Sequence, residues 1–269
     1  MPTVRDIRAQ AGEEPITMLT AYDALVAGIL DDAGVDVILI GDSMGNAVLG
    51  YENTLPVTVD EIASRTAAVA RGADDALVVA DMPFLSFGVD TADTVENAGR
   101  MLKEAGANAV KIESGPHTVD LTEHLTDLGI PVMAHVGLTP QSVNQTGYTR
   151  QGADPEQAQD FFDLAVAHEE AGAFGCVLEH IPANLAAAVT EELDIPTIGI
   201  GAGGDCDGQV LVINDAVGLS DGTPPFAEAF GDVRSEMEGA VADYVEAVES
   251  GDFPAAEHAE IAEELDELY

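Results

Sequence analysis

The chain has 269 residues, with 9 Lys+Arg against 50 Asp+Glu and a formal charge of −41. Clusters of Lys and Arg that could grip a phosphate backbone or an anionic lipid surface are missing, which excludes nucleic acid and membrane surfaces as partners. Hydrophobic residues make up 46% and fall in short blocks along the whole length, so the acidity belongs to a folded, soluble protein rather than to disorder. No run approaches the ~20 apolar residues of a membrane span. The start, Met1-Pro2-Thr3-Val4-Arg5-Asp6, lacks the basic-then-apolar pattern of an export signal. Cys176 and Cys206 form no framework of disulfides or metal ligands, and a reducing cytoplasm is the expected location.

Apolar, β-branched blocks recur at 16–20, 35–41, 76–81, 109–113, 131–136, 176–180, 196–201 and 209–215. Short continuous runs of this kind read as strands buried on both faces. Between them, 60–71, 91–105, 155–171 and 183–193 carry helical periodicity. Thr58 is a candidate N-cap for the first, and Gly106, Gly129 and Gly172 end three of the helices. A long amphipathic stretch covers about 226–248, followed by an acidic tail over 251–269 that is expected either to lie on a neighbouring subunit or to remain mobile. Eight strands interleaved with helices, with no linker or repeat, predict a (β/α)₈ TIM barrel as one domain over 1–269. A doubly wound open sheet is the alternative.

Barrel chemistry sits at the carboxyl ends of strands. Asp42 follows the second block, Asp81 and Glu113 close the third and fourth, and His135 and Glu179 lie near the ends of the fifth and sixth. A lone strand-end acid often caps the next helix, but three on consecutive strands and a fourth two strands on point to convergence on a cation. Carboxylates without a Cys/His cluster suit Mg²⁺ or a similar hard ion. The competing reading is a set of solvated or capping acids in a chain that has fifty.

Lysine occurs twice. Lys103 falls near a helix end, whereas Lys111 lies inside Ala109-Val110-Lys111-Ile112-Glu113. Strand period places Lys111 and Glu113 on one face. Lys111 is therefore either an ion pair with Glu113 or a ligand-facing cation for a substrate carboxylate or enolate oxygen. Ser43, beside Asp42 in a turn, is either a turn residue or an anion contact. The glycines at 199, 201 and 204 match dinucleotide spacing, but no long helix follows, so they serve close approach at the barrel mouth. His180 is expected on the opposite face from Glu179, in a structural role.

Several ordered segments carry a family resemblance: Leu19-Thr20-Ala21-Tyr22-Asp23, Gly41-Asp42-Ser43-Met44-Gly45, Ala80-Asp81-Met82-Pro83-Phe84, Val110-Lys111-Ile112-Glu113, and the run from His135-Val136-Gly137 through Pro140-Gln141 to Asn144. Leu178-Glu179 and Gly199-Ile200-Gly201-Ala202-Gly203 continue it. Over about 17–251 the chain resembles the ketopantoate hydroxymethyltransferase family, a (β/α)₈ barrel of the phosphoenolpyruvate/pyruvate type. The stretch 145–152 is one residue shorter than the family's usual double-glycine form.

The resemblance implies transfer of a hydroxymethyl group from 5,10-methylenetetrahydrofolate to 3-methyl-2-oxobutanoate, giving ketopantoate for pantothenate and coenzyme A synthesis. It further implies one Mg²⁺ per subunit held by Asp42, Asp81 and Glu113. Asp42, Ser43, Asp81 and Lys111 contact the keto acid, with His135 as a further contact, and Glu179 is the proton acceptor. The partners implied are small molecules and further copies of the chain in a homo-oligomer, expected as a decamer. Two other readings stand beside it: an enzyme of the isocitrate lyase/phosphoenolpyruvate mutase group on the same barrel, and a catalytically silent barrel.

The −41 charge also predicts dependence on salt, because carboxylates keep the surface hydrated while salt screens their repulsion. Thermal melts should show a higher midpoint in molar KCl than in dilute buffer, and equal midpoints would remove the halophilic reading.

Overall fold

The computed structural model describes residues 3–147 and 149–262, so Tyr148 in the 145–152 stretch and the end of the acidic tail lie outside the described residues. Eight strands form a closed parallel barrel in sequence order. They are β1 (Ile16–Thr20), β2 (Val37–Ile40), β3 (Leu77–Asp81), β4 (Ala109–Glu113), β5 (Val132–Gly137), β6 (Gly175–Glu179), β7 (Thr197–Ile200) and β8 (Gly208–Leu211). Each expected block overlaps one strand: β1 and β4 match theirs end to end, and the others differ from theirs by one to four residues at an end. The open doubly wound sheet is excluded because β1 pairs with β8.

Strand period two divides the residues between two cores. One parity fills the barrel interior: Ile16 and Met18, Val37 and Leu39, Leu77 and Val79, then Ala109, Met133, Val177, Ile198 and Val210. The other parity meets the helices, as where Ala134, Val136, Cys176 and Leu178 pack with Leu185 and Val189 of the helix Ala183–Glu192. Extending the inward parity by one step brings the series to Asp81 on β3, Lys111 on β4, His135 on β5 and Glu179 on β6. The lower layers of the barrel are thus hydrocarbon, and the layer above them is charged.

Register fixes which of these groups are neighbours. Asp81 stands opposite Lys111, Glu113 opposite His135, and Gly137 opposite Glu179. Gly137 has φ +110°, and a side chain there would collide with the Glu179 carbonyl, so only glycine lets β5 reach the end of β6.

The helix Val59–Val69 begins at Thr58 with a reciprocal box: the Thr58 hydroxyl accepts from the Glu61 amide at 3.2 Å, and Glu61 accepts from the Thr58 amide at 2.8 Å. Gly106, Gly129 and Gly172 all take positive φ after their helices. The helix expected from about 226 starts later, at Val233, because Asp232 caps it by accepting from the Ser235 amide; it ends at Ser250, before left-handed Gly251. The chain divides into two units, one comprising Met1–Ile213 with Pro224–Ala227 and the other Asn214–Thr223 with Glu228–Tyr269. No described helix is long and apolar enough to cross a membrane.

Outside the barrel mouth, fully buried His168 lies on the helix Pro155–Glu170. Its Nδ1 is 3.0 Å from the Thr122 hydroxyl and its Nε2 3.4 Å from that of Thr118. Burial lowers its pKa from 6.5 to about 4. A depressed histidine contributes stability that is complete above pH 6.5 and is lost as pH falls through 4, amounting to about 3 kcal/mol. The stability difference between wild type and His168→Gln should therefore be constant above pH 6.5 and change progressively below it. Denaturant titrations in molar KCl giving one constant difference from pH 7 to 4 would contradict this.

Candidate active site

The charged layer is built by β2 to β6. At the centre, Lys111 Nζ lies 2.5 Å from Asp81 Oδ1, both side chains being under 10% exposed. Of the two readings of Lys111, the ion pair with Glu113 is not formed: the ammonium reaches across to the in-register neighbour instead of two residues along its own strand. Burial pulls the Lys111 pKa down, but the charges of Asp81 and Asp42 and the hydrogen bond to Asp81 outweigh it and hold the pKa above its ordinary value.

Asp42 follows β2, and its amide donates to Asp81 Oδ2 at 3.0 Å. The space beside it depends on Gly41, where a Cβ would lie 2.5 Å from Ser43 Oγ. Ser43 Oγ is 3.0 Å from the hydroxyl of buried Tyr22. Burial pushes Tyr22 up to about 12, so it remains a phenol able to donate. Tyr22 lay inside a motif quoted from the sequence but carried no signal of its own.

Glu113 turns its carboxylate to the loop after β5, where both oxygens accept from the Gln141 amide at 3.0 and 3.1 Å. The Gln141 side chain donates to Asp42 Oδ2 at 2.9 Å and to the Met82 carbonyl at 3.0 Å. Gln141 was missed as a site residue because a neutral amide four positions beyond a strand has no distinguishing pattern.

His135 is 2% exposed, with Nε2 3.1 Å from Glu179 Oε2, yet among the described residues neither ring nitrogen has an aligned hydrogen-bond partner. Glu179 itself is 18% exposed and opens toward the mouth. His180 leaves this layer: its backbone has φ +50° and its ring packs on Phe226 at 5.6 Å. That matches a structural role.

The charge balance is uneven. Asp42, Asp81, Glu113 and Glu179 face one lysine. Burial, then repulsion from Asp81, raises Asp42 to about 7, and the Glu179 charge adds to the rise. Burial and the Asp42 charge lift Glu113 well above the usual carboxylate range. Hard oxygen donors with an uncompensated negative charge fit a divalent cation in chemistry and charge. Among the described residues, however, no three His, Cys, Asp or Glu side chains are gathered closely enough to enclose one. Lys111 is paired with Asp81, and Gln141 links Asp42 to Glu113.

A closed barrel with buried acids and a single strand lysine at its carboxyl ends defines a (β/α)₈-barrel enzyme centre for a small oxygen-rich anion. The family model for ketopantoate hydroxymethyltransferase matches residues 2–256. The 3-methyl-2-oxobutanoate hydroxymethyltransferase of Haloarcula marismortui is 72% identical over 269 residues, covering all of both chains. That of Natronomonas pharaonis is 66% identical over 265 residues, 98% of this chain and 99% of its own. Among solved structures, phosphonopyruvate hydrolase in complex with oxalate and Mg²⁺ superposes with a TM-score of 0.62 at 15% identity, covering 100% of this chain and 95% of that one; this likeness concerns the fold.

The chain belongs to the ketopantoate hydroxymethyltransferase family. It is a transferase that converts 3-methyl-2-oxobutanoate to ketopantoate in pantothenate biosynthesis. The relatives from halophilic archaea accord with the excess of surface acid.

Lys111→Met should cost about 3–5 kcal/mol by leaving Asp81 buried without its cation. Adding Asp81→Asn should restore part of that loss, because the stranded charge is removed. Chemical denaturation of the two single variants and the double variant checks this, and simple additivity would refute the coupling.

Proposed function

We propose that this site hydroxymethylates 3-methyl-2-oxobutanoate through an enolate, with Glu179 as the base. The observation that carries the reading is the layout of the charged layer: one buried ammonium among buried acids, with a half-buried glutamate at its open edge. Asp42, Asp81 and Glu113 would hold a Mg²⁺ ion. When bound, that ion would supply Lewis-acid polarisation of the keto oxygen.

The chain's own groups account for the remaining steps. Lys111 holds negative charge on the keto acid and offsets more of it as the enolate develops. Ser43, oriented by Tyr22, offers a hydroxyl to a substrate oxygen. Glu179 takes the C3 proton, and the electron pair of that C–H bond becomes the enolate. A carboxylate is far too weak a base to ionise a free ketone unaided, so charge stabilisation and exclusion of water must close the gap. His135, 3.1 Å from Glu179, would meet either the carboxylate or a substrate oxygen.

With 5,10-methylenetetrahydrofolate as donor, enolate C3 bonds to the methylene carbon and both carbon–nitrogen bonds of that carbon break in turn. Water supplies the hydroxyl. The C3 proton and the second proton of water finish on the two folate nitrogens, so atoms and charge balance.

Glu179→Gln should lower turnover by about 10²–10⁴-fold. Deuterium exchange at C3 of the keto acid, measured without folate, should fall in parallel while the fold persists. Near-normal exchange in that variant would remove Glu179 from the role of base.

A further inference from the structure

We propose that Gln141 is a positioning residue that couples Asp42 and Glu113, setting the acid pair for keto-acid activation; this rests on the reading given under Proposed function. The two acids come from different strands, and one residue of a third segment grips both. Its side-chain Nε2 donates to Asp42 Oδ2 at 2.9 Å and to the Met82 carbonyl at 3.0 Å, while its backbone amide donates to both Glu113 oxygens at 3.0 and 3.1 Å. Both Nε2 protons are used, which leaves the carboxamide a single orientation toward Asp42.

The backbone is equally constrained. Gln141 is the middle residue of the 3₁₀ turn Pro140–Ser142, and Thr139 before the proline is extended. The fixed φ of Pro140 aims the following amide at Glu113. The residue is only 9% exposed, so water competes little for these donors. Displacing Gln141 therefore disturbs Asp42 through the side chain and Glu113 through the main chain. Neither acid has another hydrogen-bond donor linking it to the other among the described residues.

A side-chain substitution separates the two halves of this link, because it removes the Asp42 contact and leaves the backbone contact to Glu113. Gln141→Leu deletes both side-chain hydrogen bonds, and Gln141→Glu keeps the shape but cannot donate them while ionised. Three quantities are measured for each variant in molar KCl: Mn²⁺ affinity from the free-ion paramagnetic resonance signal, kcat and KM for deuterium exchange at C3 of 3-methyl-2-oxobutanoate, and the thermal midpoint. For Gln141→Leu the Mn²⁺ Kd should weaken about 10–100-fold, as for other groups that orient a ligating carboxylate, and exchange should lose at least about tenfold in kcat, more than in KM. Gln141→Glu should lose exchange to a similar degree.

A residue that merely supports the loop would lower the midpoint and leave Kd and kcat unchanged at temperatures well below melting. Folded variants with both values within about twofold of wild type overturn the proposal. If Gln141→Leu does not fold, the isosteric Gln141→Glu decides by the same criterion. A wild-type chain that fails to bind Mn²⁺ sinks the cation assignment instead, and the exchange kcat of the variants then decides the role of Gln141 alone.

Discussion

The site depends on a single buried cation. Lys111 is the ammonium against which Asp81 is set, and through Asp81 it also fixes the Asp42 backbone, whose amide donates to the other carboxylate oxygen. Taking an ammonium and a carboxylate out of water costs several kcal/mol per ion, and their attraction offsets that cost only with close geometry and further hydrogen bonds. The barrel provides both, since the β3–β4 register places the two residues side by side before any side chain moves. What it does not provide is neutrality. Asp42 and Glu113 remain in a region where burial and like charge oppose ionisation, a state unfavourable for stability and suited to capturing a cation or polarising a ligand.

The fold was legible because one pattern serves both packing and chemistry. Leu77, Val79 and Asp81, or Met133, His135 and Gly137, are each a single inward series on a strand, apolar below and functional above. Period two is enough to read that from sequence, and eight such series with helical intervals leave little besides a barrel. Contacts between strands were less accessible. Two residues on one strand stand about 6.6 Å apart along it, whereas in-register neighbours are about 4.8 Å apart, so Lys111 meets Asp81 rather than Glu113. Register is a property of the closed sheet and cannot be read from β4 alone. Gln141 was still harder to find, since its carboxamide touches an acid 99 positions earlier in the chain. Tyr22, which orients Ser43, is another residue whose role exists only once β1 and β2 are adjacent.

The fifty acids divide into two populations under opposite electrostatic rules. Most are exposed and hydrated, where salt at about 1 M shortens the screening length to about 3 Å and removes their mutual repulsion. The few at the barrel mouth are enclosed by protein, where mobile ions penetrate little and interactions are screened far less. Evolution toward high salt can thus change nearly every surface charge while leaving the interior field untouched. The near absence of lysine outside makes the same point from the other side: a lysine retained within a buried strand, in a chain that keeps only two, is held by what surrounds it inside the barrel. Surface composition therefore reports the solvent to which the chain is adapted, while the parity and register of β3 to β6 report its chemistry.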